Sequence, residues 1–533
     1  MQLLLHNPSQ DSSSKSPWKF VIIFSIIFSG IVVGTLINSK FIKSIDEPIT
    51  HTPDKERVNT VKQTIFFVPV TSFTSTRRSI SSDELKTEAF VGLRKYRPLY
   101  PKTFTIEFVS SEEELEQKLK EDMVGLIPPQ EVRPWYSTLP IDGQNFWSNQ
   151  STLSDYPLKV EHMSQTLDER IIPIEDSSLT TIFASGELIP ARAVDRLGLN
   201  KYNNHSYLFD FFRKDIESAD ISVGLLENSL LGNPSPCTGC MSFVGDDAFA
   251  GGLTDVGYDA VSTAGNHAGD AGQKAYENTI ELLDDAGIQI TGTGNSNELP
   301  QVTEYHSILQ PTIHTVNDKK IGMFGADDVA FYYWKKDSNT NTYGTNYVSN
   351  RLNGIYSIDT EQISKLAELK ELYKLDYMIM YMSWGVEYTN YPTDHQKNLG
   401  HTLVDAGVDM IIGSHPHWVQ SIEFYNEKPI IYSLGNFLFD QTHTLETRQG
   451  MAVNLHYLNH ELKNIELMPL QICGYHQTSN DLATEYLEGS LALEDIYPIE
   501  ESKGCVYWQP KKLKSDHPSY EQILNRVFEY TEI

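Results

Sequence analysis

Five stretches in the C-terminal two-thirds of the sequence place chemically able side chains directly behind apolar runs. They are Ser185-Gly186-Glu187 with Arg192 just after, Leu226-Glu227-Asn228, Gly265-Asn266-His267, Met382-Ser383-Trp384-Gly385 with Glu387, and Gly413-Ser414-His415-Pro416-His417. Carboxylate and amide oxygens suit hard divalent cations, and imidazole suits zinc, manganese or iron. Two such ions about 3.5–4 Å apart can clamp the attacking and leaving oxygens of a phosphoryl displacement. Any one of these residues alone says little, since a single His usually packs and a single Glu at a strand end usually caps a helix or meets water. The His415-Pro416-His417 triplet says more, because alternation along an extended segment would send both rings to one side.

These residues need elements to carry them. LTTIFAS, DISVGLLE, YDAVSTAGNH, KIGMFGA, DYMIMYMSWG and VDMIIGSHPH read as buried strands with trailing loops. Between several of them lie amphipathic helices such as GQKAYENTIELLDDAG and PTDHQKNLGHTLVDAG, each stopped by glycine. The pattern predicts an α/β body with a mainly central sheet over 178–475, its chemistry gathered at the strand ends where such folds place ligands. A strand-rich part follows from Trp418, and an acidic C-terminal extension occupies 476–533. Trp384, Trp418 and Phe437 read as core aromatics, and Gly292-Thr293-Gly294 as a plain turn.

Upstream, Phe20 to Ile37 runs eighteen residues without a charge. A helix of that length spans roughly 27 Å, enough for a bilayer core. No Ala-x-Ala site follows it, so the reading is an uncleaved signal anchor over 20–38, with 1–19 cytoplasmic and the bulk of the chain outside the cell membrane. Residues 39–62 form a linker and 63–160 a small α/β domain. Asp plus Glu number 71 against 42 Lys plus Arg, a formal net charge of -29, which argues against a nucleic-acid partner. The four cysteines do not make a disulfide scaffold; Cys237–Cys240 and Cys473–Cys505 bridges both stay open.

Taken together, GYDAVSTAGNHAGDAG, SWGVEYTNYPTDHQKNLGHTLVDAGVDMIIGSHPHWVQ and KPIIYSLGNFLFDQ resemble, in order and over roughly 180–470, the CapA family linked to bacterial capsule and poly-γ-glutamate synthesis. The resemblance implies a metallophosphoesterase-like α/β sandwich holding two divalent cations (Mn, Zn or Fe). It assigns metal roles to Glu227, Asn266, His415 and His417, with Glu187 standing where the family has Asp. It makes His267 the general acid or electrostatic partner of the leaving group and gives Arg192 an anionic substrate group. Glu387 and Asn436 read equally as lining the cleft or as tying loops together. The family's His before Trp-Gly is Ser383 here, which puts one metal position in question. Two functions follow: a metal-dependent hydrolase of a phosphoester or acidic polymer bond in the envelope, working beside capsule-synthesis membrane proteins, or a degenerate member that binds an anionic polymer without turnover. GLIPPQEVRPWYSTLPIDGQNFW, in the small domain, resembles a lobe of periplasmic solute-binding proteins and suggests a ligand-sensing module.

Overall fold

The computed structural model describes residues 60–533 apart from 148–149, 176–177, 198–204, 233–240, 295–310, 330–343, 347, 353–354, 442 and 474–507. The expected anchor and the Cys237/Cys240 pair lie outside these residues. Among the described residues no helix is long and apolar enough to cross a membrane. Asn59–Ile533 forms one compact unit.

Two sheets make the main body. In the first, parallel strands Gln289–Thr291, Ala260–Ser262, Ile221–Leu226 and Leu179–Leu188 lead into the antiparallel Gln449–Leu458, Glu461–Ile472 and Pro510–Lys512, with Asn436–Leu438 also on Leu179–Leu188. In the second, Lys319–Asp327, Tyr377–Ser383, Met410–Ser414 and Lys428–Ile431 run parallel between the antiparallel Thr312–Val316 and Ile422–Tyr425.

Strand alternation decides what each face meets. Ile182 and Ala184 join Met323, Ile379, Tyr381, Met410 and Ile412 in a core between the sheets. Phe183, one step out of phase, packs with Phe212, Phe249 and Leu253 on the helical side of the first sheet. Met378, Met380 and Ile411 likewise meet Leu366, Leu399 and Leu403 from the helices Thr360–Tyr373 and Asp394–Asp405. The expected central sheet is thus two sheets, face to face, with helices outside both. Runs that are apolar on both faces do not reveal which face meets a helix and which another sheet.

Local signals behave as their chemistry requires. Thr393 and Gln396 form a reciprocal capping box at the start of Asp394–Asp405. Gly287 and Gly407 end their helices at φ +78° and +102°, a conformation that costs glycine nothing.

The stretch expected as a small domain lies within that unit and carries a five-stranded sheet in the order Thr105–Val109, Ala89–Leu93, Val124–Ile127, Val68–Ser72, Tyr136–Thr138. Its core admits Leu179 and Leu458 from the first large sheet. The C-terminal residues close the main body: Pro510–Lys512 pairs with Glu461–Ile472, and Ile523, Leu524 and Val527 of the last helix enter the inter-sheet core. Cys473 is disulfide-bonded, to a partner outside the described residues.

Candidate metal centre

The parallel strands of both sheets end at the same place. Tyr381 Oη bridges them, 3.2 Å from Ser185 O and 3.3 Å from Val223 O. Across the second sheet Asp327, Ser383 and Ser414 stand side by side in register. Glu187 and Glu227 end the facing strands of the first sheet, and both are fully buried.

Glu187 is the hub. Its Oε1 accepts hydrogen bonds from Ser414 Oγ at 2.9 Å and from the His415 backbone N–H at 2.5 Å. Its Oε2 lies 2.5 Å from His417 Nδ1. That nitrogen is also 2.9 Å from Asn436 Oδ1, and one N–H cannot serve both acceptors well. The geometry gives the hydrogen bond to Asn436 and leaves Oε2 of Glu187 without one. Burial disfavours the Glu187 carboxylate, but His417 and His415 beside it hold its pKa below the usual range. Burial likewise opposes a charge on His417, and the Glu187 carboxylate more than offsets it, so His417 is raised.

Glu227 has no such help. Neither of its carboxylate oxygens has a hydrogen-bond partner. Burial, then Glu187, then Asp327 and Glu387 push its pKa far up. The two carboxylates are close enough that only a shared proton or a cation relieves their repulsion. Asn228 Oδ1 and Ser383 Oγ are also buried without partners.

The close approach of the strands depends on glycine. A Cβ on Gly186 would meet the Gly435 carbonyl oxygen at 2.0 Å; without one, Asn436 pairs opposite Glu187.

The two histidines of the triplet do share a side, with ring centroids 6.0 Å apart, though not by extended alternation. His415 and His417 have φ of +93° and +58°, so the chain bends through Pro416. His415 Nδ1 lies 3.1 Å from Asn266 Oδ1. Burial, reinforced by His417, lowers the His415 pKa to about 3, which keeps its ring neutral.

His267 follows Asn266 and pairs through Nδ1 with Asp270 Oδ2 at 2.7 Å. A carboxylate only accepts, so the ring carries its proton on Nδ1 and leaves Nε2 for other work. Phe243 packs on the His267 ring at 4.3 Å between centroids, and its own N–H bonds Asp270. Arg192 sits between Phe243 and Phe439, 4.8 and 4.9 Å from their centroids, with its Nε and Nη2 on Asp440. That fork is already filled by a carboxylate of the chain itself. Glu387 acts on Glu227 and His417 through its charge, and the adjacent Tyr388 stacks on His417 at 5.9 Å.

The expected residues Glu187, Asn266, His415, His417 and Asn436 therefore touch one another in a chain of contacts, with Glu227 beside Glu187. Asp327, Asp270, Ser414 and Asp440 were not singled out from sequence. Asp327 ends an apolar strand just as Glu187 does, and the same rule identifies it. Among the described residues no three His, Cys, Asp or Glu side chains already stand in metal-binding geometry. The donor set still fits a divalent cation: buried carboxylate oxygens without hydrogen bonds beside a neutral imidazole.

Fold and site together define an α/β sandwich protein with a buried carboxylate–imidazole centre at its strand ends. Residues 181–441 match the family described as bacterial capsule synthesis protein PGA_cap. It is 26% identical over 310 residues to the capsule biosynthesis protein CapA of Bacillus anthracis, covering 57% of this chain and 71% of that one. It is 31% identical over 222 residues to the PGA biosynthesis protein CapA of Bacillus subtilis (strain 168), covering 41% and 52%. A 5'-nucleotidase precursor from Thermus thermophilus superimposes with a TM-score of 0.29 at 11% identity, covering 55% of this chain and 54% of that one, too partial a likeness to build on.

Proposed function

We propose that this chain is a divalent-metal-dependent hydrolase acting on a phosphoester or acidic polymer bond during synthesis of an anionic capsule polymer such as poly-γ-glutamate, in a metallophosphoesterase-like body held at the cell membrane by residues 20–38. One observation carries the reading: Glu227 is buried with both oxygens unpartnered against Glu187. Burying unpaired charge is expensive unless something neutralises it. The names of the two CapA relatives supply the polymer context.

Glu187, Glu227, Asn266, His415 and His417, joined by Asp327, would hold the cations. A divalent cation there supplies Lewis acidity and positive charge toward an anionic ester. The chain's own work lies with its side chains. His267, its tautomer fixed by Asp270, can pass a proton to a leaving oxygen through Nε2. Asn436 holds His417, and Arg192 with Asp440 braces Phe243 against His267.

A second reading, binding of the polymer without turnover, is favoured by Ser383, a neutral hydroxyl where the resemblance places imidazole. Metal analysis of the full-length protein, followed by phosphodiester turnover with added manganese or zinc, separates the two. The hydrolase reading expects bound metal and turnover lost in His267→Ala. A folded protein that takes up no metal and turns nothing over sinks it; activity gained in Ser383→His would favour the binding role.

A further inference from the structure

Arg78 lies in the small domain, away from the strand-end centre. Its guanidinium sits 5.1 Å from the Phe528 ring centroid. Nη1 makes only long contacts, 3.4 Å to Arg77 O and 3.5 Å to Ser137 Oγ. Nε and Nη2 are buried and have no hydrogen-bond partner. Those two nitrogens are the edge with which a guanidinium takes a carboxylate side-on. Among the described residues Arg133 uses that edge on Glu112, Arg170 on Asp168 and Arg192 on Asp440. At Arg78 the same edge is buried without a partner. Arg78 lines a cavity of about 110 Å³ shared with Phe73, Ser137, Thr138, Asn464 and Tyr520, where the small domain meets Glu461–Ile472 and the last helix.

We infer that this cavity is a binding site for a small monocarboxylate, gripped side-on by Nε and Nη2 of Arg78. The hydroxyls of Ser137, Thr138 and Tyr520 offer further donors, and Phe73 and Leu524 an apolar wall. Glu466 also lines the cavity, its Oε2 held by Asn454 and His456. Its negative charge disfavours a dianion such as phosphate and suits a ligand with one carboxylate, including one that carries an ammonium group. The volume holds a few water molecules' worth of ligand, so a small acid fits and a polymer segment does not. The site does not depend on the metal centre.

Calorimetric and thermal-shift titrations of the full-length chain with acetate, glycine and inorganic phosphate test this. A saturable response to a carboxylate, with phosphate weaker, is expected. Arg78→Lys keeps the charge and loses the fork, and should weaken binding roughly ten- to a hundredfold. Arg78→Met should abolish it, whereas Glu227→Gln, at the metal centre, should leave it unchanged. If Arg78→Met does not fold, Arg78→Lys decides. Absence of a saturable carboxylate response, an equal response in the Arg78 variants, or tighter phosphate binding would overturn the assignment.

Discussion

Replacing Glu227 by Gln gives a test in which two opposite signs must both appear. Gln keeps the shape and removes the charge. In the metal-free protein Glu227 faces Glu187 with no donor on either oxygen. Two like unit charges about 4 Å apart at an effective dielectric near 20 repel by roughly 4 kcal/mol, the scale for neighbouring carboxylates. Protonation of Glu227 relieves much of that, so the net gain on substitution should be about 1–4 kcal/mol. With an unfolding entropy of about 2 cal/mol/K per residue, a unit of this length shifts its melting point by roughly 1 °C per kcal/mol. In chelator, therefore, Glu227→Gln should melt about 1–4 °C above the parent. With manganese or zinc at a thousandfold excess over Kd, the parent should gain about 4 kcal/mol, or roughly 4 °C, and the variant much less. The order of the two melting curves then reverses. Differential scanning calorimetry with and without metal, alongside elemental analysis, reads both signs. A variant that melts well below the parent in chelator, or binds as much metal, would refute the cation-site argument.

Other expectations are simpler. Gly186→Ala must push apart Gly435 and the Glu187 strand, whose approach leaves 2.0 Å for a Cβ; it should cost about 3 kcal/mol or more, read as a lower urea midpoint, with less metal bound. Asp270→Asn loses the carboxylate that fixes the His267 tautomer at 2.7 Å, and should lower kcat about 10–100-fold with KM little changed, measured by steady-state kinetics. His314 is depressed by burial to about 4 from an ordinary 6.5. The unfolded chain takes up that proton first, so the stability from keeping the ring neutral is full above pH 6.5 and lost as pH falls toward 4. The loss is about 3 kcal/mol at most, and His314→Leu should flatten that part of the urea stability–pH curve.

The strand ends were legible because apolar runs must stop where polar loops begin, and Glu187, Glu227, Asn266 and His415 stand at such stops. The stop glycines Gly287 and Gly407 were legible for a local reason, their positive φ. What was not legible depends on distant partners. Arg192 reads as a free anion-binding group until Asp440, 248 residues later, is found on its fork. The bend at Pro416 is not visible in the spacing of His415 and His417, which fits an extended strand equally well. Nor does the weakly patterned C-terminal sequence announce that Ile523, Leu524 and Val527 complete a core whose other members run from Phe73 to Leu513.

The site's chemistry follows from which residues the two sheets bring to their shared edge. The second sheet contributes Asp327, Ser383 and Ser414 in adjacent register, and the first contributes Glu187 and Glu227. Ser383 therefore supplies a buried hydroxyl, without a partner, at the middle strand of the second sheet. Oxygen outnumbers nitrogen in this set more heavily than it would with imidazole at 383. Oxygen-rich, anionic sites favour harder ions, and thiolate or imidazole-rich sites favour zinc. On the proposed reading, the substitution at Ser383 does not remove the case for a cation, because Glu227 keeps both buried oxygens without a hydrogen-bond donor beside Glu187. It shifts the preference toward manganese over zinc and leaves the proton transfer with His267, on the opposite sheet, untouched.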